Sequence, residues 1–126
     1  MQTENQKNTD KKWMGASPSL EACIQNCLDC FQICSHTLVH CLEKGGKHAD
    51  PKHIKLLGDC AKICNLSADF MIHHSDYHSS TCKVCAEICT ACAESCEAFA
   101  DDEMMKECAE ICRKCATSCE EMAKLQ

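Results

Sequence analysis

Cysteine thiols are the side chains of this chain most able to do chemistry, because they bind soft metal ions, form disulfides and act as nucleophiles. Sixteen of the 126 residues are cysteine. In the segment CAEICRKCATSC they follow one another at intervals of four, three and four residues. This spacing, in full or shortened, marks four segments of the chain: Cys23, Cys27, Cys30 and Cys34; Cys60 and Cys64; Cys85, Cys89, Cys92 and Cys96; and Cys108, Cys112, Cys115 and Cys119.

The elements that must position these thiols are helices. Residues three and four positions apart lie on one face of an α-helix, so each segment is predicted to be a helix with a stripe of thiols. The stripe occupies the place of the usual hydrophobic seam. Helices joined by short loops pack antiparallel to their neighbours. The sequence therefore predicts an all-α fold, an antiparallel up-down-up-down four-helix bundle with a cysteine-lined core.

Turn and capping residues divide the chain into a flexible polar tail, residues 1–16, and a bundle, residues 17–126. Helices are predicted at about 18–43, 51–73, 79–100 and 102–124. The signals are N-cap residues, first-turn prolines, glycines at a helix end and a polar turn: Ser17-Pro18, Gly45-Gly46, Asp50-Pro51, the stretch 75–80, and Asp101 or Asp102.

The composition argues against nucleic acid and membrane partners. The formal net charge is −6 and the Lys and Arg residues are scattered, so no basic patch is expected. No segment approaches the roughly 18 apolar residues of a membrane span, and the polar N-terminus lacks the apolar run of a signal peptide. A cytoplasmic location is therefore expected, and cytoplasmic thiols are kept reduced and bind metal more often than they form disulfides.

Four interpretations of the thiol stripes compete. Buried cysteine can fill a core as a small hydrophobe, although Ala, Val or Leu would pack as well without being oxidised. Disulfides would make the chain a disulfide-stapled helical interaction domain in an oxidising compartment. Thiol redox catalysis needs one accessible pair, whereas C-x2-C spacing occurs at four places in this chain. Metal binding uses every thiol and is favoured, which predicts a binding protein and not an enzyme.

The softness of the ligands selects among metal ions. Thiolates prefer Cu(I), Zn(II) and iron–sulfur clusters, and the last two want four ligands around a discrete centre. A continuous stripe instead offers pairs with Cβ atoms about 5–6 Å apart, which suits Cu(I) at low coordination number. Many ions per chain would indicate storage or buffering of Cu(I), with a zinc or mixed-metal thiolate buffer as the alternative. Seven C-x3-C pairs are candidate two-coordinate clamps: Cys23/Cys27, Cys30/Cys34, Cys60/Cys64, Cys85/Cys89, Cys92/Cys96, Cys108/Cys112 and Cys115/Cys119.

C-x3-C pairs on four helices resemble those of the bacterial copper storage proteins, in particular their cytosolic class, over about residues 17–126. The resemblance implies a core that binds multiple Cu(I) ions and a homo-oligomer, often a tetramer. The second helix departs from the pattern with Leu57, Ser67 and Met71 at inward positions, so its layers should bind less copper. By position, all cysteines become candidate Cu(I) ligands: Cys23, Cys27, Cys30, Cys34, Cys41, Cys60, Cys64, Cys82, Cys85, Cys89, Cys92, Cys96, Cys108, Cys112, Cys115 and Cys119.

Histidines and methionines at the two ends of the bundle are additional candidates for receiving copper. His53 and Met105 are expected to share one mouth with Cys41. Solvated histidines and ordinary core methionines would give the same sequence pattern. Expected partners are copper ions and a copper-delivering chaperone or small-molecule thiol. The opposite end is predicted to hold Met71, His74, His78 and Met122.

Overall fold

The computed structural model describes residues 17–125 as four α-helices and one short 3-10 helix. The first helix packs against the second and the fourth, and the third packs against the same two. The predicted four-helix bundle is therefore confirmed for the described range, while the predicted tail, residues 1–16, lies outside it. In chain order the elements are α1 (Pro18–Lys44), the 3-10 helix (Gly46–Ala49), α2 (Pro51–Ile72), α3 (His78–Glu97) and α4 (Glu103–Lys124).

Side chains of N-cap residues fix where three of the helices begin. The Ser17 hydroxyl accepts the backbone N–H of Leu20 at 3.1 Å, and Asp50 accepts that of Lys52 at 3.2 Å. A proline follows each of these two caps, where the missing N–H costs no helical hydrogen bond. Asp102 caps α4. At the other end of α1, Gly45 has φ +73°, a conformation that glycine adopts without strain.

Two loops differ from those predicted. The polar stretch 75–80 is predicted to make the turn before a helix from about residue 79, and α3 begins one residue earlier, at His78. First-turn N–H groups need no helical partner, so polar residues are tolerated there. At its other end α3 stops at Glu97, before the expected residue 100, because Phe99 and Asp102 each donate to the carbonyl three residues earlier. The 3-10 helix between α1 and α2 was not predicted.

The interior is made of small side chains. All sixteen cysteines have 0% exposure. Alanines beside them are also buried, and small residues allow helix axes to approach closely. None of the helices formed by residues 17–125 combines the length and apolar character needed to cross a bilayer. The buried alanines are Ala61, Ala68, Ala86, Ala93, Ala109 and Ala116.

Candidate metal centre

The sulfur atoms of the core form an uninterrupted run along the bundle axis. All sixteen cysteines are free thiols, and neighbouring Sγ atoms lie 3.5–3.9 Å apart, which is the separation of sulfur atoms in contact. The run crosses between helices at almost every step. Followed from one end, it passes through Cys23, Cys119, Cys27, Cys115, Cys64, Cys89, Cys30, Cys34 and Cys108.

The remaining core thiols attach to this run. Cys82 interacts with Cys23 and Cys119, and Cys96 interacts with Cys92 and Cys108. Cys85, Cys60 and Cys112 contact members of the run directly. Fifteen of the sixteen predicted ligands therefore belong to one connected group, and Cys41 lies apart from it.

Within the run, the thiols form four clusters of four, in each of which the sulfurs lie within 4.8 Å of one another. Each cluster shares two sulfurs with the next, so one ligand can serve two neighbouring ions. A row of clusters joined in this way offers a continuous set of sites. In order along the axis, the clusters are Cys27, Cys85, Cys115 and Cys119; Cys64, Cys85, Cys89 and Cys115; Cys30, Cys60, Cys64 and Cys89; and Cys30, Cys34, Cys60 and Cys112.

The clusters are staggered and do not form flat layers. A sequence alignment of the helices places Cys64 in one layer with Cys30, Cys89 and Cys112. In the structure Cys64 shares a cluster with Cys30 and Cys89 but not with Cys112, and it also contacts Cys85 and Cys115 at 3.6 and 3.8 Å. The thiols of α2 thus sit between the layers formed by the other helices, and this offset produces the shared corners of the clusters.

Neighbouring thiols shift one another's pKa values in opposite directions. A hydrogen bond to Cys115 raises the pKa of Cys64, and burial raises it further. A hydrogen bond from Cys119 lowers the pKa of Cys115. One thiol of such a pair is thus favoured as the proton donor and its neighbour as the acceptor. Binding of a metal ion to such thiolates releases protons and is weakened by acid.

Cys41 belongs to a separate group at one mouth of the bundle. Its Sγ lies 3.4 Å from Nε2 of His53 and 3.5 Å from Sδ of Met105. The structure therefore brings together the three residues that the sequence placed at this mouth. Burial raises the pKa of Cys41 to about 11, and the nearby Asp102 carboxylate acts in the same direction. A thiol, an imidazole and a thioether converge there, all of them ligands for copper.

His53 is oriented for ligation by its second ring nitrogen. Nδ1 lies 2.7 Å from Oγ of Ser95. When Nδ1 carries the proton and donates it to Ser95, the lone pair of Nε2 faces Cys41. Hydrogen bonds of this kind fix the tautomer and ring orientation of histidine ligands.

The opposite end of the bundle lacks such a convergence. Met71 and Met122 are buried there. His74 is exposed, and Nδ1 of His78 donates to the backbone carbonyl of Ser75 at 3.1 Å. The structure thus places Met71 and Met122 in the core, His74 in the loop between α2 and α3, and His78 at the first position of α3.

The sequence does not predict one group of side chains that could bind a metal ion. His40, His48 and Asp102 bring their ligand atoms within 4.8 Å of one another outside the thiol core. The sequence marks Asp102 only as a helix cap, and no motif singles out His40 or His48. The group depends on the 3-10 helix that carries His48, and no spacing in the sequence predicts this element.

Comparison with known proteins identifies relatives over most of the chain. The family model described as copper storage protein matches residues 16–124. An uncharacterised cysteine-rich protein of Bacillus subtilis is 38% identical over 68 residues, covering 54% of this chain. The match spans 63% of that protein's length, just under two thirds.

Three solved structures share the fold over nearly their whole length. A protein of Nitrosospira multiformis is 45% identical, with a TM-score of 0.80 over 86% of this chain and 97% of its own. The Cu(I)-bound copper storage protein BsCsp3 of Bacillus subtilis is 37% identical, with a TM-score of 0.78 over 83% and 98%. A cytosolic copper storage protein of Streptomyces lividans, loaded with five coppers, is 30% identical, with a TM-score of 0.72 over 83% and 92%.

The titration of His53 provides a test of the mouth's geometry. Burial lowers the pKa of His53 from its ordinary value of 6.5, although the nearby Cys108 opposes this shift. We expect the imidazole to titrate below pH 6.5 when followed by NMR in reduced, metal-free protein.

This shift has a consequence for stability. The pKa of His53 is lower in the folded chain than in the unfolded chain, where it has the ordinary value of 6.5. At a pH between these two values the unfolded chain binds a proton that the folded chain does not. The contribution of His53 to the free energy of unfolding is therefore complete above pH 6.5 and declines as the pH falls. The loss is at most about 1.4 kcal/mol per pH unit. Urea unfolding at pH 7.5 and 5.5 should show a smaller loss for H53Q than for the wild type. Equal losses, or a midpoint at or above 6.5, would contradict the buried, neutral imidazole.

Proposed function

This chain belongs to the copper storage protein family, and we propose that it stores and buffers Cu(I), many ions per chain, on the thiolates that line its core. The observation that carries the proposal is the uninterrupted run of buried Sγ atoms 3.5–3.9 Å apart. Soft thiolates select Cu(I), and shared sulfurs let sites follow one another along the axis. Relatives 37% and 30% identical to this chain hold Cu(I) and several coppers, respectively.

We propose that all sixteen cysteines are Cu(I) ligands, fifteen in the core and Cys41 at the mouth. Every one has 0% exposure, so each thiolate formed on loading needs a counter-charge close by. A monovalent ion cancels one thiolate charge. A dense array of Cu(I) and thiolate therefore remains nearly neutral, which allows many ions to be stored in the buried core.

Zinc is the alternative ion, and distances alone do not separate it from copper. A tetrahedral zinc ion with Zn–S bonds of about 2.3 Å holds its sulfurs about 3.8 Å apart, within the observed range. The number of thiols used separates the two, because one zinc ion in each cluster would occupy ten of the sixteen cysteines, whereas Cu(I) at low coordination number can use all of them. Family membership also supports Cu(I).

A Cu(I) titration tests the stored ion and its number. Fully reduced protein, titrated anaerobically against a competing chelator, should reach an endpoint above about ten ions per chain, because thiolates are shared between ions. Excess zinc should not displace the bound copper. An endpoint of four or fewer, or displacement by zinc, would replace the store with discrete tetrahedral sites.

Paired serine substitutions test whether sulfurs are shared along the core. Cys30 and Cys60 each belong to two clusters, whereas Cys23 and Cys82 belong to none of the four. We expect C30S/C60S to lower the Cu(I) endpoint more than the matched control C23S/C82S. Both variants bury two hydroxyls, so their stabilities should fall by similar amounts, and circular dichroism should show retained helix. Equal losses of copper would argue for independent sites.

We also propose that the mouth formed by Cys41, His53 and Met105 receives copper from a chaperone or a small-molecule thiol. His53 and Met105 are 4% and 0% exposed, so an ion reaching them has left the solvent. Their ligand atoms face Cys41, and from Cys41 the ion can pass to the core.

Substitution of the mouth residues should slow loading without changing capacity. We expect H53Q and M105L to take up Cu(I) from a weak chelator several-fold more slowly, with an endpoint within about one ion of the wild type, because the core ligands are intact. Stopped-flow absorbance measures the rate. H74Q, at the exposed opposite end, is the control. Rates equal to the control would remove the mouth from the uptake path.

Location and assembly are further parts of the proposal. A cytoplasmic location fits the cytosolic Streptomyces relative. We propose a homo-oligomer, a tetramer in keeping with the family resemblance.

A groove between α1 and α2 offers an apolar surface for a second copy of the chain. It is lined by Phe31, Leu66 and Ile72, whose side chains are 36%, 42% and 48% exposed. Light scattering that gave a monomer mass at micromolar concentration would exclude this assembly.

A further inference from the structure

A second group of metal-ligating side chains lies at the surface, outside the thiol core. Oδ2 of Asp102 accepts hydrogen bonds from Nε2 of His40 at 2.8 Å and from Nε2 of His48 at 3.0 Å. The two ring centroids are 6.0 Å apart and nearly perpendicular. The residues come from α1, the 3-10 helix and the N-cap of α4, so only the folded bundle brings them together.

The ligand set differs in kind from that of the core. Two imidazoles and a carboxylate suit borderline divalent ions such as zinc, whereas soft Cu(I) prefers the thiolates. We infer that His40, His48 and Asp102 bind one divalent cation of the zinc class, at a site separate from the copper store. This inference goes beyond the proposed function and does not depend on it.

The ligand atoms, which lie within 4.8 Å of one another, must move to fit around a zinc ion. Zinc bonds to nitrogen and oxygen of about 2.0–2.1 Å hold tetrahedral ligand atoms about 3.4 Å apart. The Asp102 oxygen must therefore withdraw from each imidazole by roughly half an ångström, and the ion replaces the two Nε2 protons. The side chains of His40, His48 and Asp102 are 27%, 20% and 14% exposed. An ion can thus reach them, and water can fill a fourth position.

Surrounding contacts hold two of the ligands in place. Oδ1 of Asp102 accepts the backbone N–H groups of Met104 and Met105 at 3.0 and 3.4 Å, which leaves Oδ2 for the histidines. The ring of His48 packs on Phe99 with centroids 4.2 Å apart. Ligands oriented by such contacts bind metal more tightly.

The charge of the cleft favours a cation. Besides Asp102, it is lined by the carboxylates of Asp101 and Glu103 and by one cation, Lys44. Three carboxylates thus face one ammonium group when the histidines are neutral. Phe99 also lies 5.2 Å from the ring of His53, so the surface group and the mouth are neighbours separated by an aromatic ring.

Zinc binding to copper-loaded protein tests the site while the thiols are occupied. Protein loaded with Cu(I) under anaerobic conditions is mixed with Zn²⁺, desalted and analysed for both metals. We expect about one zinc ion per chain in the wild type, given three ligands and an open position, and little or none in H48Q and D102N. Asparagine is as good an N-cap as aspartate, so D102N removes the charged ligand and keeps the helix start.

H36Q is the matched control, since His36 is an exposed histidine one turn earlier on α1, and it should retain zinc like the wild type. Zinc held equally by all variants would mean that it sits on thiols, and no zinc on the wild type would mean that the three residues form only a hydrogen-bonded cap. Either result overturns the inference. The imidazole NMR signals of His40 and His48, followed during Zn²⁺ addition to copper-free protein, report the same site even if the copper store fails.

Discussion

The structure depends on packing four helices so closely that buried sulfur atoms touch one another from end to end. A cysteine side chain is small, and the alanines next to it in α3 and α4, such as Ala86 and Ala109, are buried with it. Such a core contains few large apolar groups. Because stabilisation follows buried apolar area, at about 0.8 kcal/mol per CH₂ group, a thiol core stabilises the metal-free bundle less than a leucine core would. Ions that bind only the folded state add to that stability by mass action.

Because the buried sulfurs lie so close together, the binding of metal ions is coupled to the loss of protons from the thiols. A single thiolate in this core has no water around it, and its stabilisation comes from neighbouring thiols such as Cys119 and Cys27, whose hydrogen bonds lower the pKa of Cys115. When a metal ion replaces these protons, it supplies the charge that water cannot. The bundle thus needs no lysine or arginine in its interior, and among the buried residues from 17 to 125 the polar side chains are a threonine, a histidine and two serines.

The sequence predicts much of this architecture because two strong regularities agree. The four-three-four spacing indicates helices, and the caps at Ser17, Asp50 and Asp102 place their starts, so the bundle and the inward face of every cysteine follow. The stagger of Cys64 does not follow, because spacing within one helix says nothing about the vertical offset between helices. The group of His40, His48 and Asp102 is also hidden, since it depends on the path of the loop after Gly45. Whether each inward cysteine binds copper stays a prediction.

Two hydroxyl groups occupy positions where the stripe of a single helix would carry a thiol, although the run of sulfurs across the helices continues past Ser67. Thr37 and Ser67 stand in register with the cysteines of α1 and α2, three residues after Cys34 and Cys64. Both hydroxyl oxygens are buried without a hydrogen-bond partner among the described residues, at a cost of about 1–3 kcal/mol each.

Oxygen is a harder ligand than sulfur and binds Cu(I) poorly, so with Ser67 and Leu57 at inward positions α2 contributes two thiols where the full pattern has four. Likewise Thr37 separates Cys41, with His53 and Met105, from the connected thiols. Serine and cysteine have nearly the same shape, so a change between them at these positions alters the ligand set and leaves the packing almost unchanged. The fold thus fixes where ligands stand, while the choice of oxygen or sulfur at each position fixes which of them hold the soft ion.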